Sequence, residues 1–231
     1  MLSSNNVLGP KDGKLVLSPS QDIILGLYYL TKTNGDAVGG MKIYKNIGKI
    51  NKHLQLDKVA VHSVIALPLS AFEEKFTAEI AQGYKYFVTT VGRAILNDSL
   101  PKEMTYINQV NESGLKALSS KFLVKNSEKL AKAFEIMLDE TPFKKNDISL
   151  LIETTYELYQ EEISLVLDAF KDLGFEYSTQ SGTSVAISDI IETTDRLNFI
   201  KEGEKLTSQL HAKYEQGFIT DDQRYQHVLK V

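Results

Sequence analysis

A chain of 231 residues, 42% of them apolar and 24% charged, is long enough to bury a sizeable core and reads as one large domain or two small ones. The absence of cysteine excludes a disulfide framework and a thiolate zinc site, and the net charge of -4 argues against a free-standing duplex binder, which would carry a basic stripe. No apolar run is long and charge-free enough to span a bilayer, and Met1-Leu2-Ser3-Ser4 starts no signal sequence, so the protein is expected to be soluble and cytoplasmic, with no membrane partner.

Residues 5–17 read as loop and strand, with turns at Gly9-Pro10 and Asp12-Gly13. Ser18-Pro19-Ser20-Gln21 then announces a helix, with Ser18 as cap, Pro19 at the first position and Gln21 three residues after the cap. Ile23, Ile24, Leu27, Tyr28 and Leu30 supply its buried face. Gly26 in its interior costs about 1 kcal/mol against Ala, which implies a neighbour packed close to the backbone. Residues 34–52 read as a loop with one short strand at 41–44. Residues 58–67, rich in Val, Ile and Ala, read as a strand containing His62. That histidine is expected to be a hydrogen-bonded core residue, because His53, His211 and His227 show no ligand spacing with it.

Residues 84–88 form a second predicted strand, leading into Thr89-Thr90-Val91-Gly92-Arg93 and a helix. Strand, hydroxyls, glycine and arginine ahead of a helix make Thr90 and Arg93 a candidate anion site, since the first amides of a helix lack partners and point outward. The plainer reading is a threonine N-cap followed by a surface arginine. Residues 111–173 are helical in pattern with a break at 142–147. Leu130, Phe134, Met137 and Leu138 form one core stripe, and Leu150, Leu151, Thr154 and Leu158 another. Glu153, Glu157, Glu161 and Glu162 read as a solvated face, and no nucleophile elbow, phosphate-cradling glycine loop or Ser/His/Asp constellation is present.

Ile163, Val166, Leu167, Phe170 and Leu173 mark a further helix, which Gly174 is placed to stop. Phe175 with Tyr177, and Val185 with Ile187, alternate on either side of Gln180-Ser181-Gly182 and are expected to pair as two short antiparallel strands. From residue 194 onward two charged helical stretches form a hairpin arm. Ile200, Gly203, Thr207, Leu210 and Tyr214 are its seam, Gly217 ends the first helix, and Thr220 with Gln223 caps the second. Phe218 and Ile219 are left exposed at the tip. A hairpin this lopsided suggests a piece of something larger.

Read together, several blocks resemble one family in order: Met-Leu-Ser-Ser-Asn-Asn-Val-Leu (1–8), Pro-Ser-Gln-Asp-Ile-Ile-Leu-Gly-Leu-Tyr-Tyr-Leu-Thr (19–31), Thr-Thr-Val-Gly-Arg (89–93), Leu-Pro-Lys (100–102), Pro-Phe-Lys-Lys (142–145), Lys-Asp-Leu-Gly-Phe-Glu-Tyr-Ser-Thr (171–179), Ser-Gly-Thr-Ser-Val-Ala-Ile-Ser-Asp-Ile (181–190) and Gly-Phe-Ile-Thr-Asp-Asp-Gln-Arg-Tyr (217–225). The family is the β′ subunit of bacterial DNA-directed RNA polymerase, and the resemblance covers essentially the whole chain. The Pro-Phe-Lys-Lys region is similar to the longer version of Firmicutes and their wall-less relatives. Val64, Met104-Thr105 and Gln223 depart from the family pattern.

The resemblance implies an α+β fold: a mostly helical pore domain with short antiparallel strands over residues 1–190, then a truncated rim-helix hairpin, the start of the funnel, over 191–231. It implies a wall of the secondary channel, through which nucleotides enter and backtracked RNA leaves, lined by Gln21, Asp22, Thr90 and Arg93. Phe218, Ile219 and Arg224 would dock transcript-cleavage factors. The implied partners are the other polymerase subunits, nucleoside triphosphates, the RNA 3′ end and, in the intact enzyme, DNA. The family's Asn-Ala-Asp-Phe-Asp-Gly-Asp loop, which holds the catalytic magnesium, would lie upstream of Met1, and the bridge helix and trigger loop beyond Val231. The chain is therefore expected to hold no catalytic residue, metal or cofactor of its own and to be inactive alone. The alternative is an independent helical interaction module with no polymerase role.

Overall fold

The computed structural model describes Gly9, Lys11, residues 19–77, Ile80 and residues 83–231. Of the predicted loop and strand at 5–17 only Gly9 and Lys11 are described, and the cap at Ser18 lies outside the described residues. The chain forms two compact units, Met1–Thr183 and Ser184–Val231.

The first unit opens on helix α1, Asp22–Thr31. Gln21 precedes it with a positive φ of 48° and no side-chain cap bond, so Pro19 lies ahead of the helix and not at its first position. After strand β1, Lys42–Ile43, comes a helix the sequence reading took for loop: α2, Ile47–Gln55. Asn46 caps it by accepting the Lys49 amide at 2.9 Å, and only Ile50 among its apolar residues is fully buried, which is why its stripe is faint among lysines. Strand β2, Val64–Pro68, starts later than expected. Residues 60–63 turn instead, with Ser63 Oγ donating to Val38 O at 2.7 Å and accepting from the Ala60 amide at 3.2 Å, and His62 sits in that turn.

Strand β3, Tyr86–Thr90, runs into α3, Val91–Asp98. Residues 111–129, expected to be helical, are mostly turns and short 3-10 segments around strand β4, Leu123–Val124, where an apolar run pairs with β3. Then follow α4, Leu130–Leu138, α5, Lys145–Leu158, and α6, Ile163–Ser181. The fold is α+β. Its sheet has the order β1-β2-β3-β4, with β1 parallel to β2 and the other pairs antiparallel, and Ala66 opposite Val88. One core lies under the sheet, where Phe72, Phe87 and Tyr106 meet edge to face. A second gathers Leu27, Leu30, Leu96, Ile148, Leu151 and Phe170 from α1, α3, α5 and α6. The inner face of α5 is Ile148, Leu151, Ile152 and Thr155; Leu150 and Leu158, expected in the core, are exposed.

The largest departure is α6. Gly174 does not stop it, and the helix continues to Ser181, ending on Gly182 in the left-handed conformation. Phe175 and Tyr177 are helical, with Tyr177 buried on the inner face, and Val185 and Ile187 are exposed and unpaired, so the expected two-strand unit is absent. Gly174 serves a crossing. A Cβ on Gly26 of α1 would overlap the carbonyl of Gly174, and one on Gly174 would come within 2.7 Å of the Ile23 Cα. Gly92, at the start of α3, meets the backbone of Leu30 in the same way.

In the second unit, α7, Arg196–Glu215, and α8, Asp221–Val228, form the expected hairpin. Gly217 has φ 77°, its amide bonds to Tyr214 O at 2.9 Å and the Phe218 amide bonds to Lys213 O at 3.0 Å, the paired bonds of a Schellman ending. Thr220 and Gln223 make the expected reciprocal caps, at 3.0 and 3.3 Å.

The crossing sets a test. Gly26→Ala or Gly174→Ala should lower unfolding free energy by about 2 kcal/mol or more, because rigid backbone would have to move apart. Gly48→Ala in α2, where the nearest atom stands 3.8 Å from an added Cβ, should be neutral or stabilising by up to about 1 kcal/mol. Urea denaturation of the three variants reads the difference.

Candidate functional site

The proposed anion site at the start of α3 is built as a structural joint. Thr90 caps the helix, its hydroxyl accepting the Arg93 amide at 3.1 Å. The Val91 and Gly92 amides, which an anion would need, are already bonded to Ser63 O and Val61 O at 3.1 and 2.9 Å. Thr90 and Arg93 are both completely buried. The threonine cap of the plainer reading is present, but the arginine is not on the surface. Its Nη2 donates to Thr141 O at 2.7 Å, its Nη1 meets the Met137 sulfur at 3.6 Å, and its guanidinium stands 5.3 Å from the Phe143 ring centre. Burial pushes the guanidinium down to about 10, with Glu140 opposing, so it stays charged at neutral pH.

Around that joint most buried polar groups pair off, Arg93 Nε and His62 Nδ1 being the buried side-chain atoms left without a partner among the described residues. Tyr106 OH donates to Thr89 Oγ1, which donates to Asn108 Oδ1, and Asn108 Nδ2 donates to Val88 O. Asn97 clamps residue 107 from both sides, Nδ2 donating to Ile107 O at 2.8 Å and Oδ1 accepting its amide at 2.7 Å. These partners lie 10 to 20 residues apart in sequence, and no short motif announced them.

Gln21 and Asp22, the other two channel residues expected from the sequence, are exposed at the opposite end of α1. Ten residues of helix separate the two ends by about 15 Å, and Gly92 packs at the Leu30 end. The four residues therefore do not converge. Gln21 and Asp22 form a surface corner, and Thr90 and Arg93 lie inside the same body.

Lys75 is a site residue the sequence reading missed. Only 7% exposed, it donates from Nζ to the carbonyls of Pro101, Leu100 and Met104 at 2.7, 3.4 and 3.4 Å. Burial lowers its ammonium to about 8, while Asp98, Glu162 and Glu74 pull the other way. Among the described residues no three His, Asp or Glu side chains are grouped to hold a metal ion. Among those residues, too, no helix is long and apolar enough to cross a membrane.

At the arm tip, Phe218 is 76% exposed. Ile219, expected beside it on the surface, is half-buried. Arg224 is occupied within the hairpin: Nε and Nη2 donate to Asp221 Oδ1 at 3.0 and 2.7 Å, and the guanidinium lies 5.4 Å from the Tyr214 ring centre.

Residues 6–190 match the family described as RNA polymerase Rpb1, domain 3. The chain belongs to that family. It is 35% identical over 99% of its length to the DNA-directed RNA polymerase subunit beta' of Malacoplasma penetrans, and over its whole length 34% and 32% identical to those of Halalkalibacterium halodurans and Weissella hellenica. It spans 18%, 19% and 22% of those relatives, about a fifth of their length. In this Rpb1 domain 3 chain four of the blocks that carry the β′ resemblance fall at joints of the fold. Residues 22–31 of the first described block are α1, Thr-Thr-Val-Gly-Arg is the β3–α3 corner, Leu-Pro-Lys is the turn under Lys75, and Lys-Asp-Leu-Gly-Phe holds the glycine of the α1–α6 crossing.

Lys75 makes the stability of the chain depend on alkaline pH. Its folded value of about 8 lies below the ordinary 10.5, so between the two the unfolded chain binds more protons and stability rises with pH, by up to about 1 kcal/mol per pH unit. Burial raises Tyr106 and Tyr177, which opposes this above about pH 10. Unfolding free energy measured from pH 8 to 9.5 should climb in the native chain and climb less in Lys75→Met.

Proposed function

We propose that this chain is part of the β′ subunit of a bacterial DNA-directed RNA polymerase and that its first unit is a wall of the enzyme's secondary channel. The observation that carries the reading is the family match over residues 6–190, supported by whole-chain identity to β′ subunits. In this reading Gln21 and Asp22 face nucleoside triphosphates on their way in and the extruded RNA 3′ end on its way out. Thr90 and Arg93 hold the wall from inside. The chain works in the cytoplasm with the other polymerase subunits and the DNA template. Magnesium chemistry and the nucleotidyl transfer itself fall to residues outside this chain, so the chain alone is inactive.

The arm is the docking element for transcript-cleavage factors. A Schellman ending and a reciprocal cap fix a turn whose one fully projecting apolar side chain is Phe218. An aromatic side chain held out on a locked turn is the kind of anchor that carries much of a small interface's energy. Ile219 is half-buried beside Phe218, and Arg224, paired with Asp221 inside α8, reaches α7 through the Tyr214 ring.

In the complete enzyme, Phe218→Ala should weaken factor-stimulated transcript cleavage about tenfold, equivalent to about 1.4 kcal/mol of docking energy, with elongation in the absence of factor unchanged. Cleavage assays over a range of factor concentrations measure this. A normal factor response would remove the docking role and leave the channel wall.

A further inference from the structure

Beside α4 the first unit carries a groove of about 730 Å³ that the channel and docking roles do not use. Its floor is apolar, with the half-buried Ile136 of α4 next to Val124 of β4 and Ala133 of α4, which belong to the buried core. Its charged residues are all lysines, Lys121, Lys125, Lys129 and Lys132, in a chain whose 30 acids outnumber its 26 Lys and Arg. Helix geometry explains the arrangement. Leu130, Ala133, Phe134 and Met137 turn one face of α4 into the core, which leaves Lys132 and Ile136, four residues apart, on the other face, with Lys129 just ahead of the helix.

The chain itself neutralises little of this charge. Lys121 is paired with Glu140 at 2.6 Å, whereas Lys125, Lys129 and Lys132 are exposed and make no ion pair among the described residues. Lys125 stands 5.4 Å from the Tyr84 ring centre, at the groove's edge. Three free ammonium groups around an apolar floor suit a partner that brings carboxylates and apolar side chains together. A nucleic acid suits it less. Phosphates make no use of the floor, and the one aromatic ring of the lining, Tyr84, is under Lys125 instead of open for base stacking.

We infer that the groove between α4 and β4 is a docking site for an acidic, amphipathic segment of another polypeptide. The segment's Asp or Glu side chains meet Lys125, Lys129 and Lys132, and its apolar face lies over the half-buried Ile136. This does not depend on the polymerase role, since binding is read on the full 231-residue chain itself.

The probe is a labelled synthetic helix-forming peptide with Glu on one face and Leu on the other, followed by fluorescence anisotropy. A version with Ser for Leu, a version with Lys for Glu and a short single-stranded RNA complete the set. The chain should bind the Glu/Leu peptide at least about tenfold more tightly than any of the other three, and binding should weaken as salt rises. Lys125→Glu/Lys129→Glu/Lys132→Glu should reduce binding at least about tenfold, with circular dichroism and unfolding midpoint matching the native chain. If that variant does not fold, Lys129→Ala/Lys132→Ala should still weaken binding by about threefold or more. Unchanged binding by the charge variants, equal binding of the Ser version, or RNA binding as tight as the Glu/Leu peptide would each overturn the proposal.

Discussion

Two helices of this chain approach until backbone touches backbone. At Gly26 and Gly174 there is no room for a methyl group, and at Gly92 the start of α3 closes on Leu30 from another side. α1 is thus held along its length by α6 and near its end by α3, with the apolar residues Leu27, Leu30 and Phe170 filling what remains. Glycine inside a helix costs about 1 kcal/mol in backbone freedom. The cost is offset by contacts that larger residues would hold apart, since dispersion forces fall off steeply with separation. Once α1 is fixed, so are the β3–α3 corner behind it and the exposed corner at Gln21 and Asp22.

Polar contacts then tie the loops to this frame. Thr31, buried at the end of α1, donates to Leu27 O and accepts the Phe143 amide at 2.9 Å, fastening the break before α5. Arg93 reaches Thr141 from the other side, so two elements grip the same segment. Lys75 gathers the carbonyls of 100–104, and Asn97 with Asn108 secures 106–108. The arm is of another kind. It has no fully buried residue and is shaped by its turn and by local pairs such as Arg224 with Asp221.

What could be read from the sequence was mostly local. A cap and its partner lie three residues apart, so Thr90, Thr220 and Gln223 were legible, as were Gly217 and the break at 142–147. Gly26 was legible in part: its cost implied a close neighbour, though not which one. Gly174 was misread because a glycine after an apolar stripe looks alike whether it ends a helix or lets another helix in, and the deciding partner, Ile23, is far away in sequence. Arg93 was misread for a related reason. Only the distant segment at 137–143 makes its pocket. Leu150 and Leu158 look like core by period, yet the packing uses the neighbouring face of α5.

In the proposed channel wall the accessible corner is Gln21 and Asp22 at the start of α1, while Thr90 and Arg93 are buried in the same unit. The most direct measurement places a photo-crosslinking amino acid at position 21 or 90 of β′ in the assembled polymerase and stalls the enzyme with backtracked RNA. If the first unit is the channel wall, position 21 crosslinks to the extruded RNA 3′ segment and position 90 does not. No crosslink from position 21 in an enzyme that still cleaves its backtracked transcript would contradict it.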